Sequence, residues 1–172
     1  MPIKIVGCPD KNFTPYVHRA AKFYAECLMT KKMQENTRII VKFTKNLKDC
    51  GYAYVTGYNS RGIPRKFMIE VHAGLGARNI LETLAHEMVH VKQFAYGHIN
   101  EKLSRWYDMT VNTDEVDYWF HPWEIEAHGL ESALLCNFAL EEKLWEIFED
   151  FRDPSTKIKN SKIKWKKDRI SE

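Results

Sequence analysis

The chain has 172 residues, of which 44% are hydrophobic and 13% aromatic, and a formal charge of +3. That is enough apolar material to close one core of ordinary domain size. No apolar run approaches the roughly 20 residues of a bilayer-spanning helix, and the N-terminus MPIKIVGCPDKNF lacks the apolar stretch and cleavage site of a secretory signal, so a soluble, cytoplasmic protein is expected. Cys8, Cys27, Cys50 and Cys136 form no CxxC pair, which argues against a zinc ribbon or a disulfide framework and for free thiols.

After Pro15, the segment YVHRAAKFYAECLMTKKM places Val17, Ala20, Ala21, Tyr24 and Leu28 at helical spacing, which predicts an amphipathic helix ending near Gln34. Three runs rich in β-branched and aromatic residues follow: Thr37 to Thr44, Tyr52 to Tyr58 and Lys66 to Ala73. The connections KNLKDCG and NSRGIP carry turn residues and are short, which predicts an antiparallel or mixed sheet of about three strands, most simply a meander.

A second helix is predicted from Asn79, with Glu82 three residues on, and its stripe Leu81, Leu84, Ala85, Met88 and Val91 runs until Gly97. His98 to His121 is polar and dotted with aromatics, and reads as a long loop of the kind that is usually functional. Pro122 opens a last helix that Asp153-Pro154 ends. One α+β domain over residues 1–154 is therefore expected. Beyond it, residues 155–172 hold six lysines and Arg169 against Asp168 and Glu172, a basic tail whose Lys157 to Arg169 stretch suits contact with nucleic-acid phosphates, with Trp165 available to stack on a base.

The second helix carries the pattern that points to chemistry, HEMVH at residues 86–90. Residues four apart on a helix differ by about 40° in direction, so His86 and His90 can present their imidazoles to one zinc ion. Glu87, rotated by about 100°, can lean over the open side of the metal and take a proton from a bound water. A catalytic zinc takes a third protein ligand, for which His98, His121, Glu124, Glu126 and His128 are candidates. On the last helix Trp123, Ala127, Leu130 and Leu134 form an apolar stripe. Glu126 lies on its shoulder and Glu124 aligns with His128 and Glu131, a phase that favours Glu126 as ligand. Gly129, costly in mid-helix, suggests a close approach between the two helices. Tyr118, His121 and His128 are candidate donors to an oxyanion, and Trp106, Tyr107 and Trp119 candidate cleft residues.

HEMVH followed some 35 residues later by PWEIEAHGLE resembles the small zincin metallopeptidases of the gluzincin type, including the SprT-like metallopeptidases common in phage genomes. The likeness covers roughly Phe67 to Leu135. It implies a minimal zincin-like fold, with His86, His90 and Glu126 as zinc ligands and Glu87 as general base. It further implies a peptide or protein substrate that pairs with an edge strand, for which Lys66 to Ala73 is the expected one, and, for a phage protein, a place in the host cytoplasm. The chain departs from the SprT pattern in that His98 follows His90 by only eight residues, and from the metzincin HExxHxxGxxH in having Gln93 and Tyr96. The implied activity is zinc-dependent hydrolysis of peptide bonds with Glu87 as base, and Tyr118 and His128, near the third-ligand segment, are expected to join it at the reaction centre. The competing expectation is a non-catalytic zinc or nucleic-acid-associated binding module that uses the basic tail.

Overall fold

A computed structural model describes residues 1–151, so the basic tail and its expected contact with nucleic acid lie outside the described residues. The fold is α+β: a mixed four-stranded sheet with helices packed on one face. Strand β1 (Ile3–Val6) leads into helix α1 (Thr14–Leu28), which returns the chain to β2 (Arg38–Thr44), parallel to β1. Strands β3 (Gly51–Tyr58) and β4 (Pro64–His72) form an antiparallel hairpin, but β4 pairs in parallel with β2, giving the order β1-β2-β4-β3.

The meander expectation is therefore corrected. The six-residue connection after Thr44 is long enough to skip one strand position, about 10 Å, and β4 fills the gap. The expected edge strand changes with it: Lys66 to Ala73 falls in the sheet interior, and β3 is the edge. The short β1, whose Ile3 and Ile5 face the helices while Lys4 and Val6 point outward, adds a fourth strand.

The first predicted helix is two. Thr30 has an extended backbone and its hydroxyl accepts a hydrogen bond from the Met33 amide, which caps a separate short helix α2 (Lys31–Asn36). The motif helix α3 (Ala77–Tyr96) starts two residues before Asn79, after the N-cap Gly76, which makes no side-chain cap. It ends where predicted, at Gly97, whose φ of 74° is the left-handed conformation that closes a helix. All five residues of its predicted stripe are fully buried, against α1 and the inner face of β3 and β4. The segment after α3 contains a small hairpin of β5 (Arg105–Trp106) and β6 (Met109–Thr110), then a single 3-10 turn at Tyr118–Phe120. Helix α4 (Pro122–Glu142) crosses α3 and stops at Lys143, short of the predicted end, with a further turn α5 (Leu144–Ile147) beyond. The four cysteines are free, and no helix among the described residues is long and apolar enough to cross a membrane.

Candidate metal centre

Helices α3 and α4 meet over the end of β3 and enclose a cleft of about 890 Å³. His86 and His90 project from α3 into its floor, and their Nε2 atoms stand 3.0 Å apart. The third group is Glu124. Its carboxylate oxygens lie 3.3 Å from His86 Nε2 and 3.5 Å from His90 Nε2, and its side chain is buried.

Glu126, the expected third ligand, is corrected to a supporting place: it receives Lys92 Nζ at 2.5 Å and Gln93 Nε2 at 2.9 Å, and is the more exposed of the two glutamates. Gln93, wholly buried, also donates to the Trp123 carbonyl, so its amide oxygen is left to accept from His90 Nδ1 at 2.8 Å. A chain of hydrogen bonds thus runs from Lys92 through Glu126 and Gln93 to His90. On the other side His86 Nδ1 donates to Glu131 Oε2 at 2.8 Å. Both imidazoles are therefore held with Nδ1 as the donor and Nε2 turned to the centre, the arrangement in which outer carboxylates and amides orient metal-binding histidines.

This donor set fits a metal ion. With Nδ1 protonated, two Nε2 lone pairs and a carboxylate face one another, and only a proton or a cation at the centre relieves that repulsion. For zinc bonds of 2.0–2.2 Å in a tetrahedron, ligand atoms sit about 3.3 Å apart, and the three separations of 3.0, 3.3 and 3.5 Å bracket that value. Two nitrogens and one oxygen suit zinc. A second grouping, His86 with His128 and Glu131, shares His86. Because Glu131 already occupies His86 Nδ1, its part here is to orient the ring.

The electrostatics follow from the same contacts. Burial alone would lower the pKa of His86, but the Glu124 hydrogen bond, the charge of Glu87 and the Glu131 hydrogen bond outweigh it and raise it to about 9. Burial opposes and the same carboxylates raise His90 as well. Glu124 is pushed well below the ordinary carboxylate range because its hydrogen bonds to the histidines overcome the cost of burial. Glu87 behaves oppositely: burial raises its pKa, against the lowering effect of the two histidines. One of its oxygens, Oε2, is buried without a partner, and the carboxylate also takes a backbone hydrogen bond at Ala53 on β3.

Tyr118 reaches the site through a 2.8 Å hydrogen bond from its hydroxyl to Glu124 Oε2, and burial with this bond raises its pKa. The His128 ring lies 4.6 Å from that of His86, its Nδ1 is 3.2 Å from Glu131 Oε1, and its Nε2 is buried without a partner. Trp119 lines the cleft and packs on His128. The remaining candidates lie elsewhere. His98 stacks between Tyr96 and Tyr107, with Trp106 at the edge, and His121 is bonded through Nε2 to the Val116 carbonyl. Sequence reasoning missed Gln93 and the orienting role of Glu131; their helical spacing from His90 and Glu124, three and seven residues, was the available signal.

Gly51, at the start of β3, explains how strand and helix come so close. A Cβ there would stand 2.6 Å from Thr83 Cγ2 and 2.8 Å from the Glu70 carbonyl oxygen. Gly129, by contrast, has nothing within 4 Å of an added Cβ, which corrects the expectation that it serves a close helix approach. Searches of protein-family models, of curated proteins and of solved structures returned no match to the chain.

Proposed function

We propose that this protein is a zinc-dependent metallopeptidase of the gluzincin-like type, with His86, His90 and Glu124 as metal ligands and Glu87 as general base. The observation that carries the reading is the convergence of two oriented Nε2 atoms and a buried carboxylate at tetrahedral spacing, with a second, elevated carboxylate beside them.

A bound zinc would supply an acidified water, with a pKa near 7, and Lewis acidity toward a carbonyl oxygen. The chain supplies the rest. Glu87 is too buried to be a strong acid and has a free oxygen, so it accepts a proton from the attacking water and returns it to the leaving amine as the peptide bond breaks. Tyr118 O–H, at the cleft wall beside Glu124, would donate to the oxyanion that develops on the substrate carbonyl; His128, whose Nδ1 donates to Glu131, would do so from Nε2 only as an imidazolium. The edge strand β3 borders the cleft at Gly51, Tyr52 and Ala53, where an extended peptide can add main-chain hydrogen bonds to its free side. An edge strand beside an HExxH helix and a glutamate on the following helix is also what a zincin-like fold requires.

The test is proteolysis of a denatured protein mixture by the zinc-loaded chain, with Glu87→Gln in parallel. The wild type is expected to cut, and Glu87→Gln to keep its zinc while losing about 10²–10⁴-fold in rate. Equal rates for both proteins would refute Glu87 as the base, and a zinc-loaded wild type that cuts nothing would refute the peptidase reading.

A further inference from the structure

The helices cover one face of the sheet, and the other carries a different chemistry. Its rungs can be read from the register. Lys4 lies beside Ile40, Met68 and Tyr54, then Lys42 beside Glu70 and Tyr52, and Arg38 beside Lys66 and Gly57. Lys4, Arg38, Lys42 and Lys66 are all exposed. The single carboxylate among them, Glu70, is buried and already engaged: it accepts from Thr44 and Tyr54 and lies 3.5 Å from Lys42 Nζ. Along these rungs four cations therefore stand against one carboxylate, and a second, Glu101, is bonded to the Tyr58 hydroxyl at the edge.

Aromatic rings run along the edge of the same face. Tyr52 and Tyr54 are stacked, with centroids 5.5 Å apart and planes at 23°, and Tyr58 follows beyond a bulge, 48% exposed. The Tyr54 ring is held by its hydroxyl bond to Glu70. Gly57 leaves room for Lys66 to lie across β3 toward this row, since a Cβ there would meet Lys66 Cδ at 2.9 Å. At its end the face opens into a second cleft of about 540 Å³, formed with the start of α2 and the β3–β4 turn. Lys32, Arg38, Arg61 and Lys66 line it without any Asp or Glu, and none of the four has an ion-pair partner among the described residues.

We propose that this open sheet face, with the basic cleft at its end, binds single-stranded nucleic acid. Phosphates need cations arranged along a track, and unpaired bases need exposed ring faces beside that track; the Lys4, Lys42, Lys66 and Arg38 field supplies the first and the Tyr52, Tyr54 and Tyr58 row the second. The charge excludes the nearer alternatives. The chain's own segment 155–172 is strongly basic, and a second copy would present the same cations. An acidic protein would satisfy the lysines but would have no use for the exposed Tyr52 ring stacked on a half-buried Tyr54. The four cations of this face do not line the metal cleft, although Tyr52, at the edge between the two, borders both.

The experiment is fluorescence anisotropy with a labelled oligothymidylate of about 15 nucleotides, titrated with the full chain over a range of salt. Three variants accompany it: Arg38→Ala with Lys66→Ala, Tyr52→Ala, and a tail variant with Lys164, Lys166 and Lys167 all changed to alanine. The substituted face residues are exposed, and circular dichroism confirms that each variant is folded. The paired face variant is expected to weaken binding and to flatten the slope of log affinity against log salt by about 1.4, roughly 0.7 for each phosphate that no longer meets a cation. Tyr52→Ala is expected to cost about ten-fold with the slope kept. The proposal is overturned if the face variants bind as the wild type does and only the tail variant loses affinity. It is equally overturned if polyglutamate competes as well as the oligonucleotide and Tyr52→Ala changes nothing.

Discussion

Glu124 and Glu126 are two positions apart and so about 160° apart around α4, and that angle decides which of them meets the histidines. The apolar stripe of Trp123, Ala127, Leu130 and Leu134 points to the core, and phase measured from it puts Glu126 on the inner shoulder. The buried face is broader and rotated. Glu124, Ala127, Glu131, Leu135 and Phe138 fall within an arc of about 80°, and all but Glu131 are buried. Its first half is polar because it forms the wall of a polar site, and its second half is apolar because it packs on α1 and α3. Hydrophobic phase finds a core but misreads an internal polar wall as a solvent face. His86, His90 and Glu87 were legible because a single helix fixes their relation; the third ligand depends on how two helices cross, which spacing along one chain does not encode. Glu126 instead holds Gln93, which holds His90, and outer partners of this kind are worth about 10–100-fold in metal affinity.

The protons at this site set a pH dependence. In the metal-free protein His86 has its pKa raised to about 9, so at neutral pH a metal must displace a proton held between His86 and Glu124. Zinc affinity is expected to rise with pH up to about 9 and binding to release protons, measurable by calorimetry in buffers of different ionisation enthalpy. The sign for stability is opposite. A raised histidine pKa stabilises the metal-free fold below the unfolded value of about 6.5 and loses that contribution as pH climbs through about 9. The thermal midpoint of the metal-free protein should therefore fall across this window.

Among the elements, each helix and strand type was legible where periodicity was long. The α3 stripe and its glycine stop, and the three β runs, needed only local composition. The sheet order was not legible, because a six-residue connection permits either a neighbouring strand or the insertion of β4 between β2 and β3. The interior place of β4 makes β3 the edge strand, and with it the proposed substrate edge, and makes Gly51 a critical position. Gly51→Ala forces the strand off a backbone oxygen 2.8 Å away, with an expected cost of about 1–3 kcal/mol and a loss of activity at the adjoining Glu87. Gly129→Ala fills open space on an exposed helix position and should stabilise by about 0.5–1 kcal/mol. Chemical denaturation of the two variants checks both signs, and destabilisation by Gly129→Ala would show that the helix needs glycine there after all.

On the scale of the whole molecule, the proposed metal ties α3 to α4 and so joins the helix that packs on the sheet to the one that closes the cleft. A ligand that binds the folded state alone stabilises it by about 2.7 kcal/mol at 100 times its dissociation constant. Zinc should therefore raise the unfolding temperature of the wild type and leave that of Glu124→Ala nearly unmoved. The same architecture leaves the opposite sheet face open, with its cations and tyrosines, so that the proposed metal chemistry and the proposed polyanion binding meet at one edge strand.

The most direct measurement is the zinc content of the purified chain by elemental analysis, for the wild type, Glu124→Ala and Glu126→Ala. About one zinc per wild-type chain is expected, lost in Glu124→Ala and retained, more weakly held, in Glu126→Ala. A wild type that takes up no zinc, or a pair of variants in which Glu126→Ala is empty and Glu124→Ala is full, would contradict the assignment.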